Sequence, residues 1–316
     1  MQKRFITVLF SCFLIGGFLF GQSENSPAPS VELLVLGTLQ DGGSPHMGCW
    51  KPCCASLYET PDPSRKVVSL GVLDNTESKA YLLEATPDLP SQIGLLRKEA
   101  PFEASRTPDG IFLTHAHIGH YTGLMFLGRE AMNARGVPVY AFPRMLEFLK
   151  GNGPWDQLIR LGNIELSPTY EDTPVRLSAH LEIQPFRVPH RDEYSETAGY
   201  RITGPNKAAL FIPDIDKWDR WEVSLQKILE EVDLAFLDAT FYDAAEIGYR
   251  DMSEIPHPFV VESMSLLEKL PAALRNKVYF IHLNHTNPLL DPKSPESKAV
   301  ERSGFRIARI GDRFKL

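Results

Sequence analysis

Apolar residues fall in short blocks separated by polar, glycine-rich or proline-rich turns. Residues 31–37 form a short, mostly apolar run closed by Gly37, the pattern of a buried strand. A loop, Asp41-Gly42-Gly43-Ser44-Pro45, and a cysteine cluster follow. Runs at 67–73 and 80–85 flank the polar turn 74–78 and predict a hairpin. A strand at 110–114 runs straight into a group of histidines, and a helix is expected over 123–134. A strand at 137–142 and helical residues 145–149 complete this half. The second half repeats the rhythm. Strands are expected at 181–188, 200–202, 208–212, 234–237 and 277–281, with helices at 221–231 and 258–270. Strands outnumber helices in each half, which predicts two packed sheets with helices outside and no linker dividing residues 31–316.

The first 21 residues read as a separate object. Lys3 and Arg4 precede an apolar stretch at 5–20, and Gly21 precedes a polar segment, 22–30, read as a linker. A basic start, an apolar middle and a small residue before polar sequence describe a secretory signal peptide, with cleavage expected after Gly21. An exported chain, periplasmic or secreted and without stable membrane insertion, is the expectation. A lipid anchor at Cys12 ranks lower, because bulky Phe10 fits that use poorly.

Composition narrows the classes. Hydrophobic residues make up 43% of 316, enough for a sizeable core, and a charged fraction of 23% argues against wholesale disorder. With 33 basic against 40 acidic residues and no long basic run, the chain is not expected to bind nucleic acid; a small-molecule substrate is expected instead. Oligomeric state is not legible.

Candidate chemistry lies at the ends of the strand-like runs. His115, His117, His120, His190, Asp214 and His282 each follow such a run, so groups remote in sequence can converge. Three of the nine histidines fall within six positions, in Thr114-His115-Ala116-His117-Ile118-Gly119-His120. Imidazoles two residues apart at a strand end can chelate one cation from the same side.

These residues resemble the signature H-x-H-x-D-H of the metallo-β-lactamase fold superfamily. The resemblance runs from Val31 to about Pro288 through Val188-Pro189-His190, Pro213-Asp214 and Ile281-His282. It implies a four-layer αββα sandwich, an α/β fold with two mixed β-sheets. It also implies one metal held by His115, His117, His190 and Asp214, and a second by His120, His282 and the shared Asp214. The signature's Asp is Gly119 here, so the second site lacks a carboxylate. Three outcomes are open: one metal only, a weaker second site completed by water, or a substitute carboxylate, for which Asp192 and Asp216 are near enough in sequence.

Finer features resemble the pyrroloquinoline quinone biosynthesis protein B group and its phosphodiesterase relatives. They are Gly42-Gly43-Ser44-Pro45 before the cysteines, Leu82-Leu83-Glu84-Ala85-Thr86-Pro87-Asp88, Leu237-Asp238-Ala239-Thr240-Phe241 and His282-Leu283-Asn284-His285. That resemblance implies a structural zinc on Cys49, Cys53, Cys54 and His285, with His46 a spare donor; a disulfide through Cys49 is the alternative reading of the three thiols. It also implies that His257 lies near substrate as an acid, alongside Asp214 as the residue that orients water and accepts its proton.

The expected activity is that of a metal-dependent hydrolase acting on an ester, lactone, amide or phosphodiester. One or two Zn2+ ions would serve the chemistry, and a further one the structure. Two alternatives stand beside it: an Fe2+-dependent oxidoreductase related to quinone-cofactor biosynthesis, and a non-catalytic metal-binding exported protein.

Overall fold

Every residue of the first strand, β1 (Val31–Gly37), is buried, yet its side chains divide between two cores. Leu34 and Leu36 enter one, while Val31, Leu33 and Val35 enter another. A strand covered on both faces reads as a near-continuous apolar run, the pattern seen here apart from Glu32. The structure, a computed structural model, describes residues 28–246 and 255–316. The signal-peptide reading of residues 1–21 and most of the 22–30 linker lie outside the described residues.

The remaining strands are β2 (Ser69–Asp74), β3 (Lys79–Leu83), β4 (Gly110–Phe112), β5 (Val137–Ala141), β6 (Ile164–Pro168) and β7 (Val175–Arg176). They continue with β8 (Glu182–Arg187), β9 (Ala198–Thr203), β10 (Ala208–Ile212), β11 (Leu234–Asp238), β12 (Val278–Ile281), β13 (Arg306–Ile307) and β14 (Arg313–Lys315). The first sheet has the order β14-β1-β2-β3-β4-β5-β6 and the second β13-β12-β11-β10-β9-β8-β7. Both are mixed. β2 pairs antiparallel with β1 and β3, whereas β3 through β6 run parallel. In the second sheet β7 through β10 are antiparallel and β10 through β13 parallel.

Helices α1 (Pro52–Ala55), α2 (Leu89–Glu99), α3 (Ile118–Tyr121), α4 (Pro143–Gly151) and α5 (Trp155–Arg160) belong to the first half. Helices α6 (Leu225–Glu230), α7 (Val260–Leu267), α8 (Ala272–Arg275) and α9 (Pro295–Arg302) belong to the second. Leu96 of α2, Met145 of α4 and Leu158 of α5 pack on the outer face of the first sheet. Leu229 of α6, Val260 of α7 and Val300 of α9 cover the second. Between the sheets lie Leu33, Phe112, Tyr200, Phe211 and Phe236. The result is the four-layer αββα sandwich.

Two segments differ from their sequence expectation. Residues 123–134 are not an α-helix: a 3-10 turn, Thr122–Leu127, is followed by irregular chain. Gly123 donates its N–H to Ala85 O and Asn133 adopts φ 49°, so local turns replace the helical ladder. The helix expected over 221–231 begins only at Leu225, where the Ser224 hydroxyl accepts from the Lys227 N–H. Trp221 instead stacks on Phe186 and donates Nε1–H to Arg187 O, and Trp218 donates to Ser263 Oγ.

One connection between the sheets bears on the site. Leu39 makes parallel bridges both to Val67 and to Leu283. Gln40 N–H donates to Leu283 O at 2.9 Å, and Leu283 N–H to Thr38 O at 2.7 Å. The chain leaving β1 is thereby laid beside the chain leaving β12.

Candidate metal centre

Side chains capable of binding a cation converge where β1, β3, β4, β8, β10, β11 and β12 end. His115 and His117 follow β4, and Ala116 between them donates its N–H to Ser195 Oγ at 2.9 Å. His120 lies in α3, His190 follows β8, and Asp214 follows β10. His282 directly follows β12 and is held at φ 66°, while Glu84 directly follows β3 at φ 78°. Two non-glycine residues in the left-handed region beside one cluster mark a strained backbone sustained by its surroundings.

The imidazoles share an orientation. Nδ1 of His115 lies 2.8 Å from Thr114 Oγ1, that of His120 lies 3.3 Å from Glu84 Oε1, and that of His190 lies 3.3 Å from Asp216 Oδ1. His282 Nδ1 lies 2.9 Å from Thr240 Oγ1. In His115, His190 and His282 an outer hydrogen-bond partner holds Nδ1, and Glu84 flanks that of His120, so these four turn Nε2 inward, whereas His117 turns Nδ1 inward. His115 Nε2 is 3.3 Å from Asp214 Oδ2 and 2.8 Å from His117 Nδ1. His190 Nε2 and Asp214 Oδ1 are 3.3 Å apart. Both atoms are buried without a hydrogen-bond partner among the described residues.

Two sets of donors result. Those of His115, His117, His190 and Asp214 lie within 4.8 Å of one another, as do those of Asp41, His120, Asp214 and His282. Asp214 belongs to both. Imidazoles oriented by outer partners, a shared carboxylate and buried atoms without hydrogen bonds fit a divalent metal; an uncompensated buried polar atom is otherwise costly.

His257 stands beside these sets. Its Nδ1 is 2.8 Å from Asp238 Oδ2 and 3.1 Å from Asp214 Oδ1. Burial presses the ring toward its neutral form, but Asp238 and Asp214 outweigh that and hold its pKa well above the usual histidine range. Burial raises the Asp238 pKa, but the cationic ring and its hydrogen bond prevail, giving about 2. Asp238 is fixed in turn by the Thr240 N–H and hydroxyl on Oδ1, at 2.9 and 2.7 Å, and by the Ile215 N–H on Oδ2.

A separate group of donors, Cys49, Cys53, Cys54 and His285, also lies within 4.8 Å. The three cysteines are free thiols, with 3.8 Å between the sulfurs of Cys49 and Cys53, far beyond a disulfide bond. Burial, followed by His46 and Lys51, pushes His285 down to about 4, so its imidazole is neutral, the form that ligates. His46 lies alongside: its ring stacks on His285 and its backbone N–H donates to Cys54 Sγ. Three thiols and a neutral imidazole suit a closed tetrahedral zinc site.

The structure brings together His115, His117, His120, His190, Asp214 and His282, with His257 beside them. It corrects the search for a substitute carboxylate. Asp192 pairs loosely with Arg144 at 3.9 Å, both largely exposed. Asp216 faces the outer nitrogen of His190 and is braced by Arg220 at 2.9 Å, so it orients a ring instead of entering the centre. Sequence reasoning left Asp41 as a loop residue and gave Glu84 and Asp238 no role. The available signal was positional: each stands at or just beyond the end of a strand, as the histidines do.

Residues 79–283 match the beta-lactamase superfamily domain. Coenzyme PQQ synthesis protein B of Gluconacetobacter diazotrophicus is 27% identical over 313 residues, covering 90% of this chain and 99% of the relative. The protein of that name from Methylorubrum populi is 28% identical over 305 residues, covering 89% and 98%. Among solved structures, Zn2+-bound PqqB from Methylobacterium extorquens superposes with a TM-score of 0.73 at 22% identity, over 90% of this chain and all of that one. A diphosphatase of the PhnP family superposes with a TM-score of 0.60 at 24% identity, over 91% of this chain and 97% of that one. The fold is thus shared with proteins of both kinds.

Proposed function

The chain belongs to the beta-lactamase superfamily, and on that premise we propose that it is a metal-dependent hydrolase of an ester, lactone, amide or phosphodiester. One observation carries the reading: His115, His117, His190 and Asp214 direct donors at one point, with His190 Nε2 and Asp214 Oδ1 free of other hydrogen bonds among the described residues. A bound zinc ion would supply Lewis acidity there and lower the pKa of water toward neutrality.

The chain's own residues do the rest. Asp214 orients water by hydrogen bonding and accepts its proton. Thr114 and Asp216 keep the His115 and His190 rings turned inward. His257 is the acid. Its Nδ1–H is committed to Asp238, so Nε2–H is the proton available to a departing oxygen or nitrogen. The side chain keeps 12% exposure, which leaves the ring within reach of a substrate. A structural zinc on Cys49, Cys53, Cys54 and His285, and export by the leader at residues 1–21, are parts of the same proposal.

A second reading, an Fe2+-dependent oxidoreductase, draws support from the relatives named for PQQ synthesis and from three imidazoles and a carboxylate that also suit ferrous iron. Metal analysis of the purified protein, with a chromogenic ester, lactone and phosphodiester panel run on wild type and His117→Ala, tests both. Zinc and hydrolysis lost in His117→Ala are the expected result. Iron without hydrolysis would favour the second reading, and equal activity in the two proteins would remove this centre from the chemistry.

A further inference from the structure

We infer that Asp41 is the carboxylate ligand of a second metal centre, in trade with Gly119: the acid that the histidine motif lacks is supplied from the other end of the domain. This rests on the metal-dependent reading above and goes beyond it in the number of ions and the identity of a ligand.

The argument begins with space. A Cβ on Gly119 would lie 2.6 Å from the Asp41 Cα and 2.7 Å from its Oδ1. The nearer atom is backbone, so rotation of the Asp41 side chain cannot relieve the contact. The loop backbone that carries Asp41 and a side chain at 119 therefore exclude each other. The volume an aspartate at 119 would fill is filled from the loop after β1.

Next comes aim. Asp41 Oδ1 lies 3.0 Å from His120 Nε2 and 3.3 Å from His282 Nε2. The outer nitrogens of those rings face Glu84 and Thr240, so Asp41 meets the two atoms turned inward. Asp214 Oδ2 stands 3.6 and 3.8 Å from the same nitrogens. Two imidazoles and two carboxylates thus surround one point. Asp41 is delivered there by the bridge of Leu39 to Leu283, one residue beyond His282. The turn that follows depends on Gly43 at φ 65°. Burial opposes ionisation of Asp41, yet the two facing rings keep its carboxyl well below its usual range.

Zinc counts on the full chain test this. Wild type, Asp41→Ala, the isosteric Asp41→Asn, and His117→Ala are loaded with zinc, freed of excess by gel filtration and analysed by mass spectrometry. The cysteine cluster is common to all four and cancels in the differences. Asp41→Ala is expected to hold one zinc fewer than wild type, with zinc affinity at that site weakened at least about 100-fold, since loss of even an outer partner costs 10–100-fold. The isosteric Asp41→Asn is expected to lose that zinc as well. Gly119→Asp alone is expected to melt at least about 3 °C lower than wild type as an overpacked site.

Equal zinc in wild type and folded Asp41→Ala would overturn the assignment. So would a folded Asp41→Asn that binds as much zinc as wild type. Equal zinc in wild type and His117→Ala would instead strike the first centre, and hence the reading on which this one rests.

Discussion

The Nδ1 of His257 lies 2.8 Å from Asp238, and the Asp238 carboxylate is itself fixed by three further hydrogen bonds within the described residues. This couples a ring beside the candidate metal centre to a carboxylate that accepts no other imidazole as closely. The acid of the proposed reaction is His257 Nε2, and its proton is retained because Asp238 and Asp214 raise the ring's pKa. Hydrolysis should therefore fall as pH rises through that raised pKa. His257→Gln should lower kcat by about 10²–10⁴-fold and abolish the alkaline limb of the profile. A pH–rate profile retaining that limb in His257→Gln would assign it to another group.

Thr240 links Asp238 to His282. Its hydroxyl donates to Asp238 Oδ1 at 2.7 Å and faces His282 Nδ1 at 2.9 Å. Thr240→Val keeps the shape and removes the link, so His282 loses the partner that holds its ring. Zinc affinity at the site containing His282 should weaken about 10–100-fold while the fold persists. Competition with a chelator, read beside the circular dichroism spectrum, measures both.

Tyr200 ties the two sheets together through its hydroxyl, which donates to Leu113 O at 2.5 Å just ahead of the histidine pair. Tyr200→Phe would leave that carbonyl buried without this partner, at a cost of about 1–3 kcal/mol. Denaturant unfolding should report the loss, and an unchanged midpoint would show that another donor compensates.

Glu246 is half-buried beside Thr286, whose hydroxyl donates to it, and the Tyr242 N–H donates to its other oxygen at 2.6 Å. Burial outweighs these bonds and pushes its pKa up to about 7. A carboxyl whose folded pKa exceeds its unfolded value stabilises the fold in its protonated form. That contribution is complete below about pH 4.5 and is lost as pH rises through about 7. Glu246→Gln cannot ionise, so its melting temperature should decline less than that of wild type between about pH 5 and about pH 8. Parallel melting curves would argue against the shift.

Cys54 is the buried one of the three thiols, and Cys54→Ser removes one of four converging donors. Loss of one zinc and a lower melting temperature are expected, because a structural zinc contributes its binding energy to folding. Unchanged zinc content would show that these donors hold no metal.

The strand cores were legible because each is a short apolar run between turns, and β1, β10 and the β2–β3 hairpin are close to their expected positions. Helix α2 was not: only Leu89, Gln92 and Leu96 of its face are buried, and one of the three is polar. Residues 123–134 misled because their apolar side chains cover the first sheet from turns instead of from a helix.

The local order of residues by itself determined the apolar runs, the histidine pair at a strand end, and the absence of an acid at position 119, since these are properties of neighbours along the chain. Tertiary structure alone decided which carboxylate meets His120 and His282. The link between Asp41 and His282 spans 241 positions and depends on Leu39 being laid against Leu283 as one sheet packs on the other. No periodicity encodes such a pairing; it follows from how the two sheets close.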